Sequence, residues 1–324
     1  MRTVIAWALP AAALFLHACS SQHSSSQPPA ASEPPATSAP APAAASEDVR
    51  TFAIGSFTGV ALRDGALTFP NDTRIFGVGR TVEEVSALLT AAALPTNELR
   101  LSLQPLLVKT GNRVLLFDAG AGHHMGDSGG RLLASMEAAG VTPQSITDVF
   151  VSHAHGDHVG GLVKADGTLG FPNATIHVSS AEWTFLQGMD AATAAGVAIQ
   201  DHTRFVAAIA PKVAEFAPGA DIMPGVVKAV EIRGHTPGHS GYLITSGQDS
   251  LLYIGDAMHH VVVSVQKPDW PNEFDNDRTL AASSRSELLA RSADSGQRLY
   301  SPHFPFPGVG KVERRGDGFV WLAE

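Results

Sequence analysis

The chain has 324 residues, 44% of them hydrophobic and 16% charged, with a formal net charge of −9. That length suits one large α/β domain with appendages rather than two catalytic domains. The acidic balance, with no Lys/Arg cluster able to track phosphates, speaks against nucleic acid as a partner.

At the amino terminus, Met1-Arg2-Thr3 precedes an apolar stretch at 4–16 that is too short to span a bilayer permanently and reads as an export signal. Its end, Leu16-His17-Ala18-Cys19, resembles a bacterial lipobox, although His17 departs from the small residues usual there. Residues 1–19 are therefore expected to be a lipoprotein signal peptide. Lipid on Cys19 would anchor the protein in the cell envelope, on the periplasmic side or outer membrane of a Gram-negative cell. Cys19 is the only cysteine, so the domain has no internal disulfide and no thiolate ligand. Residues 20–49 are mostly Ser, Ala, Pro, Gln and Thr and cannot bury enough apolar surface to offset ordering entropy. They read as a disordered spacer, and 50–324 as the folded domain.

Within the domain, β and α signals alternate. Strand-like runs lie around 52–62 and 101–108, the latter turning at Gly111-Asn112. A helix is predicted over 131–139, with Leu132, Leu133, Met136 and Ala139 on one face and Gly140 as its stop. A buried strand at 146–152 runs into His153-Ala154-His155-Gly156-Asp157-His158, where Asp157-His158 begins a short helix. A strand at 175–178, a helix at 181–186, and strands at 226–232, 241–245 and 251–254 follow.

The run at 153–158 packs three imidazoles and a carboxylate into six residues, a donor set that suits a divalent ion of the zinc type better than a core or a solvated loop. More donors of the same kind recur downstream. His235 lies in Gly234-His235-Thr236-Pro237-Gly238-His239, Asp256 follows a strand and Gly255, and His303 sits in the proline-flanked Ser301-Pro302-His303-Phe304-Pro305. Each alone is weak evidence, since a lone His beside a glycine is more often a surface or capping residue.

Together these pieces resemble the metallo-β-lactamase-fold hydrolases, whose signature is H-x-H-x-D-H, then G-H-T-x-G-H, a strand ending in Gly-Asp, and a late His. Val114-Leu115-Leu116-Phe117-Asp118-Ala119-Gly120 is similar to that family's strand ending in Asp-x-Gly, which makes Asp118 an expected buried structural acid. The resemblance covers roughly residues 50–324 and is strongest to the methyl parathion hydrolase and acyl-homoserine lactonase branch. It implies an α/β four-layer αβ/βα sandwich and two divalent metal ions, zinc by default. It also implies that His153, His155 and His235 hold one ion, Asp157, His158 and His303 the other, and that Asp256 bridges them. Asp157 or Asp256 would move the proton of the reaction. His259 and His260 are expected either to orient ligands or to be plain loop residues. His239 is expected to be structural, and His123 and His124 to line the cleft entrance or be solvated.

The implied substrate is a small neutral or amphiphilic ester, most of all a lactone or aryl ester. A phosphotriester is the alternative, and a non-catalytic binding lipoprotein the rival from another class. A thioesterase of the glyoxalase II type would need basic residues for glutathione, and a mononuclear iron dioxygenase fewer ligands. Met125, Trp183, Phe185, Leu186, Trp270 and Phe304 are the candidate pocket lining, although Trp183 and Leu186, three apart on the predicted helix, read rather as core. Met125 and Leu186 stand where phosphotriesterase relatives are expected to carry rings, which argues against efficient organophosphate hydrolysis. A homodimer is left open.

Overall fold

The computed structural model describes residues 46–324. The expected signal peptide with Cys19, and the spacer through residue 45, lie outside the described residues. The domain opens with a hairpin, β1 (Val49–Ile54) and β2 (Phe57–Leu62), and continues into a second, β3 (Gly65–Pro70) and β4 (Glu98–Leu103), with helix α1 (Val82–Ala91) between its strands. β5 (Leu106–Thr110) returns to pair with β2, and β6 (Arg113–Phe117), β7 (Asp148–Phe150), β8 (Thr175–Ser179) and β9 (Val213–Phe216) extend that sheet, the last four in parallel. Helices α2 (Leu132–Ala138), α3 (Gly156–Val159), α4 (Ser180–Gly188), α5 (Ala191–Gly196) and α6 (His202–Ile209) fill the connections. The second sheet runs β10 (Asp221–Met223), β11 (Val227–Glu231), β12 (Ser240–Ser246), β13 (Asp249–Tyr253), β14 (Arg298–Tyr300), β15 (Val309–Arg315) and β16 (Gly318–Ala323). Helices α7 (Val263–Gln266) and α8 (Arg278–Ser295) connect β13 to its parallel neighbour β14.

Period-two alternation along the strands explains the layering. Leu115 and Phe117 of β6 face Leu251 and Tyr253 of β13 in the core between the sheets, while Leu116 turns outward to α2 and α4. Leu252 points the other way, onto Leu288 and Leu289 of α8. Strands buried on both faces therefore read as unbroken apolar runs. The result is the four-layer αβ/βα sandwich.

Two expected strands are each divided. The 101–108 run breaks at Gln104-Pro105, where proline offers no N–H to a ladder and Gln104 Nε2 donates instead to Ser301 O and Phe304 O. The part before the break belongs to the small β3–β4 sheet, the part after it to the first large sheet. The 52–62 run turns at Gly55-Ser56 into β1 and β2. Between 63 and 104 the chain also forms a minor core of its own, in which Phe76, Val85, Leu89, Leu99 and Leu101 pack on Val263 and Trp270.

Parallel strands align their carboxyl ends, and ligands gather there in open α/β sheets. Asp118 follows β6, the 153–158 run follows β7, Glu182 follows β8, Asp256 follows β13 and His303 follows β14. At the opposite end of β7, Asp148 is fully buried and accepts hydrogen bonds from Arg113 Nη2 (2.6 Å), Thr147 Oγ1 (2.7 Å) and His177 Nε2 (3.0 Å). Burial alone would raise its pKa, but the hydrogen bonds from His177, Arg113 and Thr147 bring it down to about 2. A depressed carboxylate pKa stabilises the fold above the unfolded value of about 3.9 and loses that contribution as pH falls towards the folded value. Thermal melts from pH 7 to pH 2 should show the wild-type midpoint dropping between pH 4 and 2. Asp148→Asn should start lower and fall less steeply over that window; equal slopes would remove Asp148 from the acid transition.

Candidate metal centre

The sequence-predicted ligands converge on one buried point between the strand ends. Donor atoms of His153, His155, His235 and Asp256 lie within 4.8 Å of one another, as do those of Asp157, His158 and His303. Asp256 faces both groups: Oδ2 is 3.6 Å from His153 Nε2 and 3.4 Å from His235 Nε2. Its Oδ1 is 3.2 Å from His158 Nε2 and 2.9 Å from His303 Nε2. Asp157 Oδ2 completes the second group, 3.4 Å from His158 Nε2 and 3.7 Å from His303 Nε2.

Hydrogen-bond partners on the far sides of the rings decide what the near sides can offer. His303 Nδ1 donates to Ser102 O (2.8 Å), His235 Nδ1 to Asp275 Oδ1 (3.0 Å) and His158 Nδ1 to Asp118 Oδ2 (2.6 Å). Ser152 Oγ gives its proton to Asp118 Oδ2 and so accepts from His153 Nδ1 at 3.0 Å. Each of these four rings, when neutral, therefore turns an Nε2 lone pair inward. His235 Nε2 stands 3.1 Å from His153 Nε2 and 3.2 Å from His155 Nδ1. Nitrogen ligands about 2.0–2.1 Å from a tetrahedral ion are about 3.3 Å apart, so the spacing matches an ion's coordination shell. Asp256 Oδ1 is buried without a hydrogen-bond partner, as cation-facing donors are before an ion is added. The residues fit two divalent ions, and a redox-silent His/Asp donor set makes zinc the natural choice.

Electrostatics differ between the two halves. Burial, reinforced by His235, pushes His155 down to about 3, and burial with neighbouring His158 holds His153 well below its usual range. These rings are neutral ligands at any ordinary pH. On the other side, burial would also lower His158, but Asp256, Asp157 and Asp118 together raise it well above its usual range. Burial opposes the charge on Asp157 and Asp256, yet His158 and His303 hold both carboxylates below the normal range.

Several supports were not visible in the motifs. Glu182, wholly buried on α4, accepts from Ala154 N (2.7 Å), Thr236 Oγ1 (2.8 Å) and Gly238 N (2.8 Å), tying the 153–158 loop to the loop that carries His235. The Ser179-x-x-Glu182 helix start was its only sequence signal. A side chain at Gly238 would come within 2.2 Å of Glu182 N, so that glycine is required by the approach. Asp118 is buried as expected and also accepts from Ser152 N and Tyr253 OH at 2.7 Å each. His239 is structural: Nδ1 donates to Ile232 O and Nε2 accepts from Asp256 N at 2.9 Å. A Cβ on Gly255 would lie 2.6 Å from that Nε2.

His259 is buried beside the centre, with Nε2 3.2 Å from Asp256 Oδ2 and neither ring nitrogen hydrogen-bonded. His260 accepts from Val262 N and Val263 N and serves the start of α7. His123 is exposed, whereas His124 is buried and accepts from Gln200 N, so neither lines the cavity over the metal centre.

That cavity, of about 220 Å³, opens over Asp157, Asp256, His155, His259 and His303. Of the expected lining only Met125 is there, and Phe185 lines an adjoining groove. Trp183 and Leu186 belong to the helix–sheet core, Trp270 to the minor core and Phe304 to the core under α8, because each points away from the strand ends. The walls come instead from Leu67, Phe69 and Leu101 of the β3–β4 hairpin, from Val197 and Ala198 after α5, and from Phe274. Rings therefore do stand over the centre, contrary to the expectation drawn from Met125 and Leu186.

A family model described as the metallo-beta-lactamase superfamily matches residues 105–303. Among curated relatives, ribonuclease Z of Pyrococcus furiosus is 32% identical over 101 residues, 31% of this chain and 29% of the relative. Ribonuclease Z of Salinibacter ruber is 39% identical over 79 residues, 24% of this chain and 21% of the relative. The chain thus spans less than a third of the length of these relatives. Among solved structures, AidC, a dizinc quorum-quenching lactonase in complex with a product, superposes with a TM-score of 0.80 at 30% identity. That match covers 85% of this chain and 97% of the other. The hydrolase AbOPH gives 0.76 at 29% identity, covering 86% and 97%. With its ligand motifs gathered at the joined edges of two sheets, the chain belongs to the metallo-beta-lactamase superfamily.

Proposed function

We propose that this protein is a dinuclear metal-dependent hydrolase of neutral ester bonds, with lactones and aryl esters as preferred substrates. The observation that carries the reading is the Asp256 carboxylate, one oxygen towards each ligand group, at the floor of a cavity whose walls are apolar. When bound, two divalent ions lower the pKa of a shared water and polarise a carbonyl or phosphoryl oxygen.

The chain's own residues supply the rest. His153, His155 and His235 would hold one ion and Asp157, His158 and His303 the other, with Asp256 spanning them. Asp157, at the cavity floor, is placed to take a proton from the attacking water on the carboxylate oxygen not turned to the ligand group and to return it to the departing alkoxide. Leu67, Phe69, Leu101 and Phe274 exclude water and bury the hydrocarbon arm of the ester. His259, with unpaired ring nitrogens at the cavity wall, can offer an N–H to an ester oxygen. No Lys or Arg is among the residues lining the cavity. An anionic substrate such as a nucleic acid backbone or glutathione would find no cationic side chain in these walls, which favours neutral substrates.

AidC, as a lactonase, supports the first reading. A phosphotriesterase is the second, favoured by the rings of Phe69 and Phe274 over the centre. Rates on a long-chain acyl-homoserine lactone and a dimethyl aryl phosphotriester, measured side by side with the zinc-loaded protein, separate the two. We expect the larger kcat/KM on the lactone; the reverse order would sink the lactonase reading.

Zinc analysis should return about two ions per chain. Asp256→Ala should keep the fold by circular dichroism while losing bound zinc and most turnover, and full activity in that variant would refute the dinuclear mechanism. The proposal extends to location: residues 1–19 direct export, Cys19 carries lipid, and the residues from 20 to the start of the domain at β1 hold the enzyme away from the membrane. Cys19→Ser should then move the protein from the membrane fraction to the soluble envelope fraction, and an unchanged distribution would refute the anchor.

A further inference from the structure

Arg285 on α8 is only 1% exposed and is the largest fully buried side chain among the described residues. Removing a guanidinium from water costs several kcal/mol, so its partners must account for it. Its Nε donates to Pro268 O at 2.9 Å and Nη2 to Trp270 O at 3.3 Å, while Nη1 reaches Asp275 Oδ2 at 3.3 Å and Ala257 O at 3.4 Å. Asp275 Oδ2 also accepts from Asn272 Nδ2 at 2.7 Å, and its other oxygen receives His235 Nδ1. The same stretch is fastened to the backbone of the ligand loop, with Asn276 N bonded to His235 O and Asp277 N to Gly234 O.

The chain of contacts thus runs Arg285, Asp275, His235, and it serves one half of the centre. His158 in the other half relies on Asp118, which is held by Ser152 and Tyr253 and has no contact with Arg285. An apolar side chain at position 285 would leave Asp275 a buried carboxylate without its counter-charge and three carbonyls without a donor. Asp275 would then no longer be held where it fixes the His235 ring.

We infer that Arg285 is the positioning residue of the His153/His155/His235 half, holding His235 in its ligating orientation through Asp275. The inference rests on the two-ion reading. Changes to groups behind a ligating histidine weaken metal binding by about 10–100-fold. Such a loss confined to one ion is what separates positioning from general support of the fold.

The test uses the full zinc-loaded chain, dialysed against a graded series of chelator concentrations, with zinc per chain and melting temperature read together. Arg285→Met should release one ion at chelator levels about tenfold or more below those needed for the wild type, and keep the other. Leu288→Ala, on the same helix and buried in the helix–sheet layer away from the centre, should lower the melting temperature and keep both ions at wild-type affinity. If Arg285→Met fails to fold, Arg285→Lys carries the test. It keeps the charge but lacks the fork, and should show the same one-sided loss to a smaller extent. Wild-type retention of both ions in the Arg285 variants, parallel loss of both ions, or an equal loss in Leu288→Ala would overturn the inference. A wild-type chain that never holds two ions would overturn the two-ion reading itself.

Discussion

Five imidazoles and two carboxylates share a volume from which water is nearly absent, and most of the architecture around them exists to keep them there. On the His153/His155/His235 side, neutral His153 and His235 turn Nε2 lone pairs towards each other at 3.1 Å, an arrangement that a cation makes favourable. On the His158 side, three carboxylates favour a proton on the ring that the cation would replace. Both halves rely on rigid partners to prevent the rings from rotating away.

Those partners come from the ends of parallel strands and from buried acids. Asp118 holds His158 and, through Ser152, His153; Asp275 holds His235; Glu182 binds the backbone of two ligand loops together. Each carboxylate accepts from several fixed donors, so each is at once a charge and a splice between segments distant in sequence. The cavity above has a different origin. Its walls are the apolar side chains of the hairpin, of the turn after α5 and of the Phe274 loop, elements whose polar groups also brace the ligand loops through Ser102 O, Val197 O and Asp275.

The division between ligands and walls explains what was legible in the sequence. Metal donors are confined to few residue types at short spacings, so 153–158, His235, Asp256 and His303 could be picked out, and apolar strand runs gave the layered fold. Glu182, Asp275 and Arg285 could not be found, because an isolated charged residue looks the same whether it is solvated or buried among loops. The pocket was largely misassigned. Trp270 and Phe304 are large and apolar like any lining residue, and only the direction of each side chain separates core from cavity, whereas the helical spacing of Trp183 and Leu186 already favoured core. The 101–108 run was read as one strand because apolar alternation continues across Gln104-Pro105, where the chain changes sheets.

The ligands come from both sheets: His153 and His235 are 82 residues apart, and His158 and His303 are 145 apart. An ion shared between such positions closes loops of the size that long-range disulfides close elsewhere. This chain has a single cysteine, which lies before the domain, and no such covalent cross-link is open to it. Zinc would then act as its cross-linking agent as well as its reagent. Scarcity of zinc would cost the protein not only turnover but resistance to proteases, since the two halves of the sandwich would lose a shared tie at once.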